Sequence, residues 1–169
     1  MIAVDTNILI YAHRSESIWN ALAVSAIGRL AQTSEWAIPW PCLAEFYNIV
    51  THPRRYKPPT PPARALAQLE SMVSAPSLKL LSETSTKLGW DTFRDLVATS
   101  RVVGPAVHDA RIASICIQHG VEELWTADRD YSRFPQLRVR NPLIPTGVNE
   151  PRGRYKLGVA ELKKQPRAR

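Results

Sequence analysis

Short apolar runs alternate along this chain with longer stretches in which apolar residues recur every three or four positions. The first run, Ile2-Ala3-Val4, stops at Asp5-Thr6-Asn7 and reads as a buried parallel strand with a polar carboxyl end. Runs at residues 36–39, 78–81, 123–127 and 137–139 predict four more strands. Helical spacing predicts a short helix from residue 8 to about 13. A longer one follows over about 17–31, with Ile18, Leu22, Ile27 and Leu30 on its apolar side. Pro41 opens a third helix that runs to about Thr51 and is ended by His52-Pro53. Residues 63–73 give a fourth, with Ala65, Leu66, Leu69 and Met72 as its stripe. A fifth, capped by Ser82 or Thr84, runs to about Ser100. A sixth opens at Pro105, passes Ala113 and Ile117, and is closed by Gly120. A turn and short helix over 130–134 precede the last strand. Strands alternating with helices predict an α/β fold: a mostly parallel sheet of about five strands with helices on both faces.

The length, 169 residues, suits one domain whose apolar core needs no disulfide or structural metal. No apolar run is long enough to span a membrane. The opening residues lack the basic-then-apolar pattern of a secretory signal, so the expected compartment is the cytoplasm. Cys42 and Cys116, inside apolar helical patterns, read as buried thiols. The net charge of +7 is unevenly placed: Arg152, Arg154, Lys156, Lys163, Lys164, Arg167 and Arg169 against Glu150 and Glu161 put +5 of it in residues 150–169. The body is nearly balanced, and the basic tail reads as a solvated segment or a non-specific RNA contact. Val159 to Lys164 suggest one or two helical turns within it.

Candidate chemistry lies in four acids. Asp5 and Asp128 each follow an apolar run, and ligands of open parallel sheets bind beyond the carboxyl ends of strands. Either alone reads equally as a turn residue or helix cap. Asp109 shares a helix face with Ile112, Ala113 and Cys116, while Arg111, Ser114 and Gln118 take the polar face. A buried aspartate needs a partner, a metal or a local hydrogen bond. Glu45 lies with Asn48 and His52 on the polar side of its helix and by itself reads as a solvated glutamate. Converging carboxylates without zinc-type ligands suit a hard cation, magnesium or manganese, which binds phosphate oxygens and acidifies water. The histidines at 13, 52, 108 and 119 fall in no triad motif, and no Gly-rich phosphate loop is present.

Four segments carry a family resemblance: Val4-Asp5-Thr6-Asn7-Ile8-Leu9, Leu43-Ala44-Glu45-Phe46, His108-Asp109-Ala110-Arg111-Ile112-Ala113, and Leu124-Trp125-Thr126-Ala127-Asp128-Arg129-Asp130-Tyr131. In this order the chain resembles PIN-domain ribonucleases, specifically VapC toxins of bacterial VapBC toxin–antitoxin pairs. The resemblance spans residues 1 to about 145 and leaves 146–169 as a basic extension. It implies a three-layer α/β/α, Rossmann-like fold and magnesium-dependent endonucleolytic cleavage of RNA. It implies Asp5 and Asp109 as principal metal ligands, with Glu45 and Asp128 completing the acidic pocket directly or through water. Thr6, Asn7 and Thr126 would orient carboxylates or water, and Asp130 would support Asp128 or serve only as a turn residue. A homodimer and a VapB-type antitoxin are implied partners. RNA specificity is expected from the 53–62 loop, where Arg54, Arg55, Tyr56 and Lys57 cluster.

Two rival readings stand beside this one. A phosphatase of the haloacid dehalogenase type also begins with a strand ending in aspartate, but it needs Asp-x-Asp, and Asn7 holds the third position. A PIN-like binding module without its metal site would be expected to lack one or more of the acids, and all four are present.

Overall fold

The computed structural model describes residues 1–33 and 35–144. The extension over 146–169, with its suggested helical turns, lies outside the described residues. Five strands form one sheet: β1 (Ile2–Val4), β2 (Trp36–Pro39), β3 (Leu78–Leu81), β4 (Glu123–Trp125) and β5 (Val139–Arg140). Their order is β3-β2-β1-β4-β5 and every pairing is parallel. Six α-helices connect them: α1 (Thr6–His13), α2 (Asn20–Thr33), α3 (Trp40–Val50), α4 (Pro62–Val73), α5 (Lys87–Thr99) and α6 (Val107–Gln118). Helices α1 to α4 pack as one group and α5 with α6 as another. Right-handed crossovers put these groups on opposite faces, because the chain steps outward from β1 to β3 and then returns past β1 to β4. The result is a three-layer α/β/α fold.

The central strands read as unbroken apolar runs because both their faces are covered. Ala3, Val4, Ala37, Ile38 and Leu124 have no exposed surface. The core extends into α1 through Ile8, Leu9 and Ile10 and into α3 through Phe46 and Val50. Gly120, at φ +63°, closes α6 in the left-handed conformation expected of a helix-terminating glycine. Among the described residues no helix is long and apolar enough to cross a membrane.

The departures from the sequence reading have local causes. The second helix starts at Asn20 rather than near Ser17, because the Asn20 amide donates to the carbonyls of Tyr11 and Ala12 at 2.9 Å each. Its core side is therefore Ala23, Ala26 and Leu30, with Ile27 half-buried, while Ile18 and Leu22 face solvent. Leu66, assigned to the stripe of α4, is also exposed, whereas Ala65 is buried. Thr84 does not cap α5: its hydroxyl is taken by Gln118, and Thr86 accepts from the Gly89 N–H instead. Ser114 is buried rather than solvated, its hydroxyl accepting from Gln118 Nε2 at 2.7 Å. Strand β4 ends at Trp125 and β5 begins at Val139, so Thr126 and Ala127 fall in the loop beyond the sheet.

Leu124 lies at the centre of this packing. Leu124→Ala should cost about 2–5 kcal/mol, the range for buried leucine truncation. The check is the midpoint of urea unfolding, which should fall with the slope unchanged.

Candidate active site

Strands β1 and β4 are neighbours, and the strand order reverses between them. The loops leaving two such strands part to opposite faces, which opens a crevice at their carboxyl ends. Asp5 follows β1 directly, and its backbone N–H still donates to Trp125 O at 3.0 Å. Asp128 follows β4 after Thr126 and Ala127. Helix α6 brings Asp109 in its first turn, and α3 brings Glu45 at its middle.

Asp5 is only 4% exposed, and its charge is met from several sides. Its Oδ1 accepts from the Thr6 backbone N–H at 2.7 Å, which also caps α1. Its Oδ2 accepts from Asn7 Nδ2 at 2.6 Å and from the Thr126 hydroxyl at 2.7 Å. The Cys42 thiol approaches Oδ1 at 3.7 Å as a weak donor. Asn7 Nδ2 also donates to Thr126 Oγ1 at 2.7 Å, while Asn7 Oδ1 accepts from the Ala127 N–H at 3.0 Å. The amide orientation is fixed by this network, and an amide N–H is not acidic enough to protonate a leaving group. That removes the phosphatase reading on geometry as well as on residue type.

Thr6 serves two acids. Its backbone N–H holds Asp5, and its hydroxyl donates to Glu45 Oε2 at 2.7 Å. Glu45 is therefore exposed yet oriented, unlike an ordinary solvated glutamate. Asp128 caps the short 3-10 helix Arg129–Arg133 by accepting from the Asp130 N–H at 2.8 Å, and its own N–H donates to Thr126 Oγ1 at 3.0 Å. The cap and the site are thus the same residue at both strand ends. Asp130 stands at the rim with an exposed side chain, 3.7 Å from Arg133.

Asp109 is placed differently. It is half-buried and receives no hydrogen bond among the described residues. Burial, followed by the charges of Asp128 and Asp5, pushes its carboxyl up to about 7. Arg133 opposes that rise and Asp130 adds to it. Burial pushes Asp5 up to about 6 against the pull of its hydrogen bonds to Thr126 and Thr6, with Glu45 and Asp128 adding like charge. The four predicted acids therefore share one electrostatic field. Among the described residues no three of them are drawn close enough to clasp an ion as they stand.

Three neighbours of the acids had been given no role in the sequence reading. Cys42 is one helical turn before Glu45 on α3, a spacing that put both on one face. Its thiol is pushed well up by burial and by Asp5, so it stays protonated. Tyr131 is buried beneath the acids, and its hydroxyl has no partner among the described residues. Arg133 is the cation that Asp109 feels.

The PIN domain model matches residues 2–137. The chain belongs to the PIN-domain family. Its relatives include "VapC ribonuclease Mb2897" of Mycobacterium bovis, 33% identical over 144 residues, which cover 85% of this chain and 96% of the relative. "Ribonuclease VapC48" of Mycobacterium tuberculosis is 27% identical over 139 residues, covering 82% and 94%. Among solved structures, VapBC2 from Rickettsia felis bound to a promoter DNA fragment superposes with a TM-score of 0.61 at 22% identity, covering 83% of this chain and 98% of that one. Mycobacterium tuberculosis VapC20, described as a sarcin-ricin loop cleaving toxin, gives 0.60 at 17% identity, covering 78% and 93%. These likenesses agree with the sheet order and the resemblance read from the four motifs.

The raised carboxyls set a pH dependence. A carboxyl held above its ordinary value binds its proton more tightly in the folded chain, so the stability it confers is present at low pH and is lost as pH rises through the folded value. For Asp5 and Asp109 the loss runs from about pH 4 to between 6 and 7. In chelator-treated buffer Tm should fall by about 2–6 °C between pH 5 and 8 from these groups. Asp109→Asn should flatten most of that fall and melt higher than wild type at pH 8. An unchanged pH profile in the variant would show that the acids are not coupled.

Proposed function

We propose that this protein is a divalent-cation-dependent endoribonuclease, the toxin of a VapBC-type pair. The observation that carries the reading is the field shared by Asp5, Glu45, Asp109 and Asp128 at the β1/β4 switch point. Support comes from the relatives, which are named ribonucleases, and from structural neighbours that are toxin–antitoxin complexes.

The donor set suits magnesium or manganese: it is made of carboxylate oxygens, with no imidazole among them. Asp109 fits such an ion best, being half-buried among like charges with no hydrogen bond from the described residues to hold it in place. Asp5 and Asp109 would be the principal ligands, joined by Glu45 and Asp128 directly or through water. When bound, the cation supplies charge for the phosphate oxygens and lowers the pKa of water.

The protein groups have separable tasks. The Asn7 and Thr126 donors keep Asp5 turned toward the crevice. Thr6 holds Glu45 where it can accept a proton from water attacking the scissile phosphorus. Asp128, anchored through the Asp130 N–H, orients that water from the opposite strand. As the water oxygen bonds to phosphorus, the bond to the leaving oxygen breaks. A VapB-type antitoxin and a second copy of the chain are the partners this reading carries with it.

Purified protein with magnesium should cleave structured RNA, and Asp109→Asn should lower the rate at least 100-fold, beyond the 10–100-fold expected from losing an outer partner. Thr6→Val should lower it about tenfold without altering Tm by more than a few degrees. Magnesium should raise the Tm of wild type at pH 8, hardly at pH 5, and not in Asp109→Asn. Induced expression without antitoxin should arrest growth only when Asp5 and Asp109 are intact. Equal growth for wild type and both alanine variants, with intact RNA throughout, would defeat the reading.

A further inference from the structure

A cavity of roughly 500 Å³ lies apart from the carboxylates, between the end of α1, the loop before α4 and the first turn of α4. Arg14, Lys57 and Arg64 line it against one acid, Glu16. The structure re-sorts the basic cluster read from the 53–62 loop: Tyr56 and Lys57 face this cavity, whereas Arg54 and Arg55 do not line it.

The floor of the cavity is built from interlocked groups. Arg14 lies over the Tyr56 ring, 4.1 Å from its centroid. Its guanidinium donates to Glu16 at 2.6 Å, to Thr60 Oγ1 at 3.0 Å and to the Pro58 carbonyl at 3.3 Å. Thr60 is buried, accepts from Arg14 and shares a hydrogen bond with His13 Nε2 at 3.1 Å. Burial, with Arg14 and Arg64 close by, holds His13 below its usual value. Five prolines between residues 53 and 62 restrict the backbone that carries this wall.

Arg14 and Glu16 are thus spent on each other and on the floor. Lys57 and Arg64 are exposed, and among the described residues neither has a carboxylate partner. Two unneutralised cations lining one cavity over a stiff floor favour an anion, and an arginine with a lysine suits phosphate oxygens. The cavity is also close to the acids in the chain. Helix α1 starts at Thr6, which touches Asp5 and Glu45, and ends at His13, about 10 Å further along its axis. Phe46, the residue after Glu45, packs against His13 with ring centroids 5.2 Å apart.

We propose that this cavity is a second anchoring site for RNA, in which Lys57 and Arg64 hold a backbone phosphate a few nucleotides from the one cut. The proposal rests on the ribonuclease reading for its biological sense, but its test is a binding measurement. Fluorescence anisotropy of a labelled single-stranded RNA of about 20 nucleotides would be followed across salt concentrations in Asp109→Asn protein in chelator-treated buffer, where cleavage is suppressed. Adding Lys57→Gln and Arg64→Gln should weaken binding about tenfold and reduce the salt slope by about 0.7, the value for one lost phosphate contact. In the cleaving chain the same pair should raise KM for the long RNA with kcat unchanged, and leave cleavage of a dinucleotide unaffected. An unchanged affinity and slope in a variant with wild-type Tm would overturn the proposal. So would intact RNA binding with weakened binding of a VapB-type antitoxin, which would assign the surface to the protein partner. If wild type binds RNA with the full slope, loses it in the variant, yet cuts nothing, the anchoring site stands and the catalytic reading falls.

Discussion

An aspartate at the end of a central strand, closed off from water, must be surrounded by donors or be protonated. Asp5 is under that constraint, and much of the local architecture answers it. The donors come from three different chain segments: the first turn of α1, the loop after β4 and, more weakly, α3. Meeting the charge therefore clamps β1 to β4 and, through the Cys42 thiol, brings α3 up to the end of β1. The same bonds that keep the carboxylate tolerable fix the distance between the two strand-end loops and hence the shape of the crevice.

Sheet topology decides which further residues can reach that crevice. Because the strand order reverses at β1/β4, helices from both layers begin or pass beside it. Helix α6 enters from one side with Asp109, and α3 crosses from the other with Glu45. Neither is held as Asp5 is. The site therefore combines one rigid acid, two oriented by a hydroxyl or a backbone N–H, and one that meets only opposing and like charges.

Much of this was legible before any coordinates. Asp5 and Asp128 were visible as acids that stop apolar runs, and the alternation of strands and helices carried the parallel sheet. Asp109 stood out because its helix face was otherwise apolar. What stayed hidden was pairing at a distance. Nothing in the spacing of α3 says that Thr6, 39 positions earlier, holds Glu45. Ile18 and Leu22 fit an apolar stripe only if the helix begins near Ser17, and the Asn20 contact with the end of α1 sets its start three residues later. Ser114 reads as solvated until Gln118, one turn on in the same helix, is seen to cover its hydroxyl, and Thr84 reads as a cap until its hydroxyl is seen to be taken by the same Gln118, 34 positions later.

The unequal support of Asp5 and Asp109 bears on how such a chain can be silenced by mutation. Asp5 caps a helix and anchors two loops, so replacing it damages the scaffold along with the chemistry, and the products are prone to unfolding and clearance. Asp109 contributes repulsion to the resting fold, so its loss relieves strain. On the reading that Asp109 holds the cation, position 109 is accordingly the easy exit under selection against the activity. Its replacement would yield an inert chain that keeps its shape, accumulates to full level and still occupies whatever partner recognises that shape.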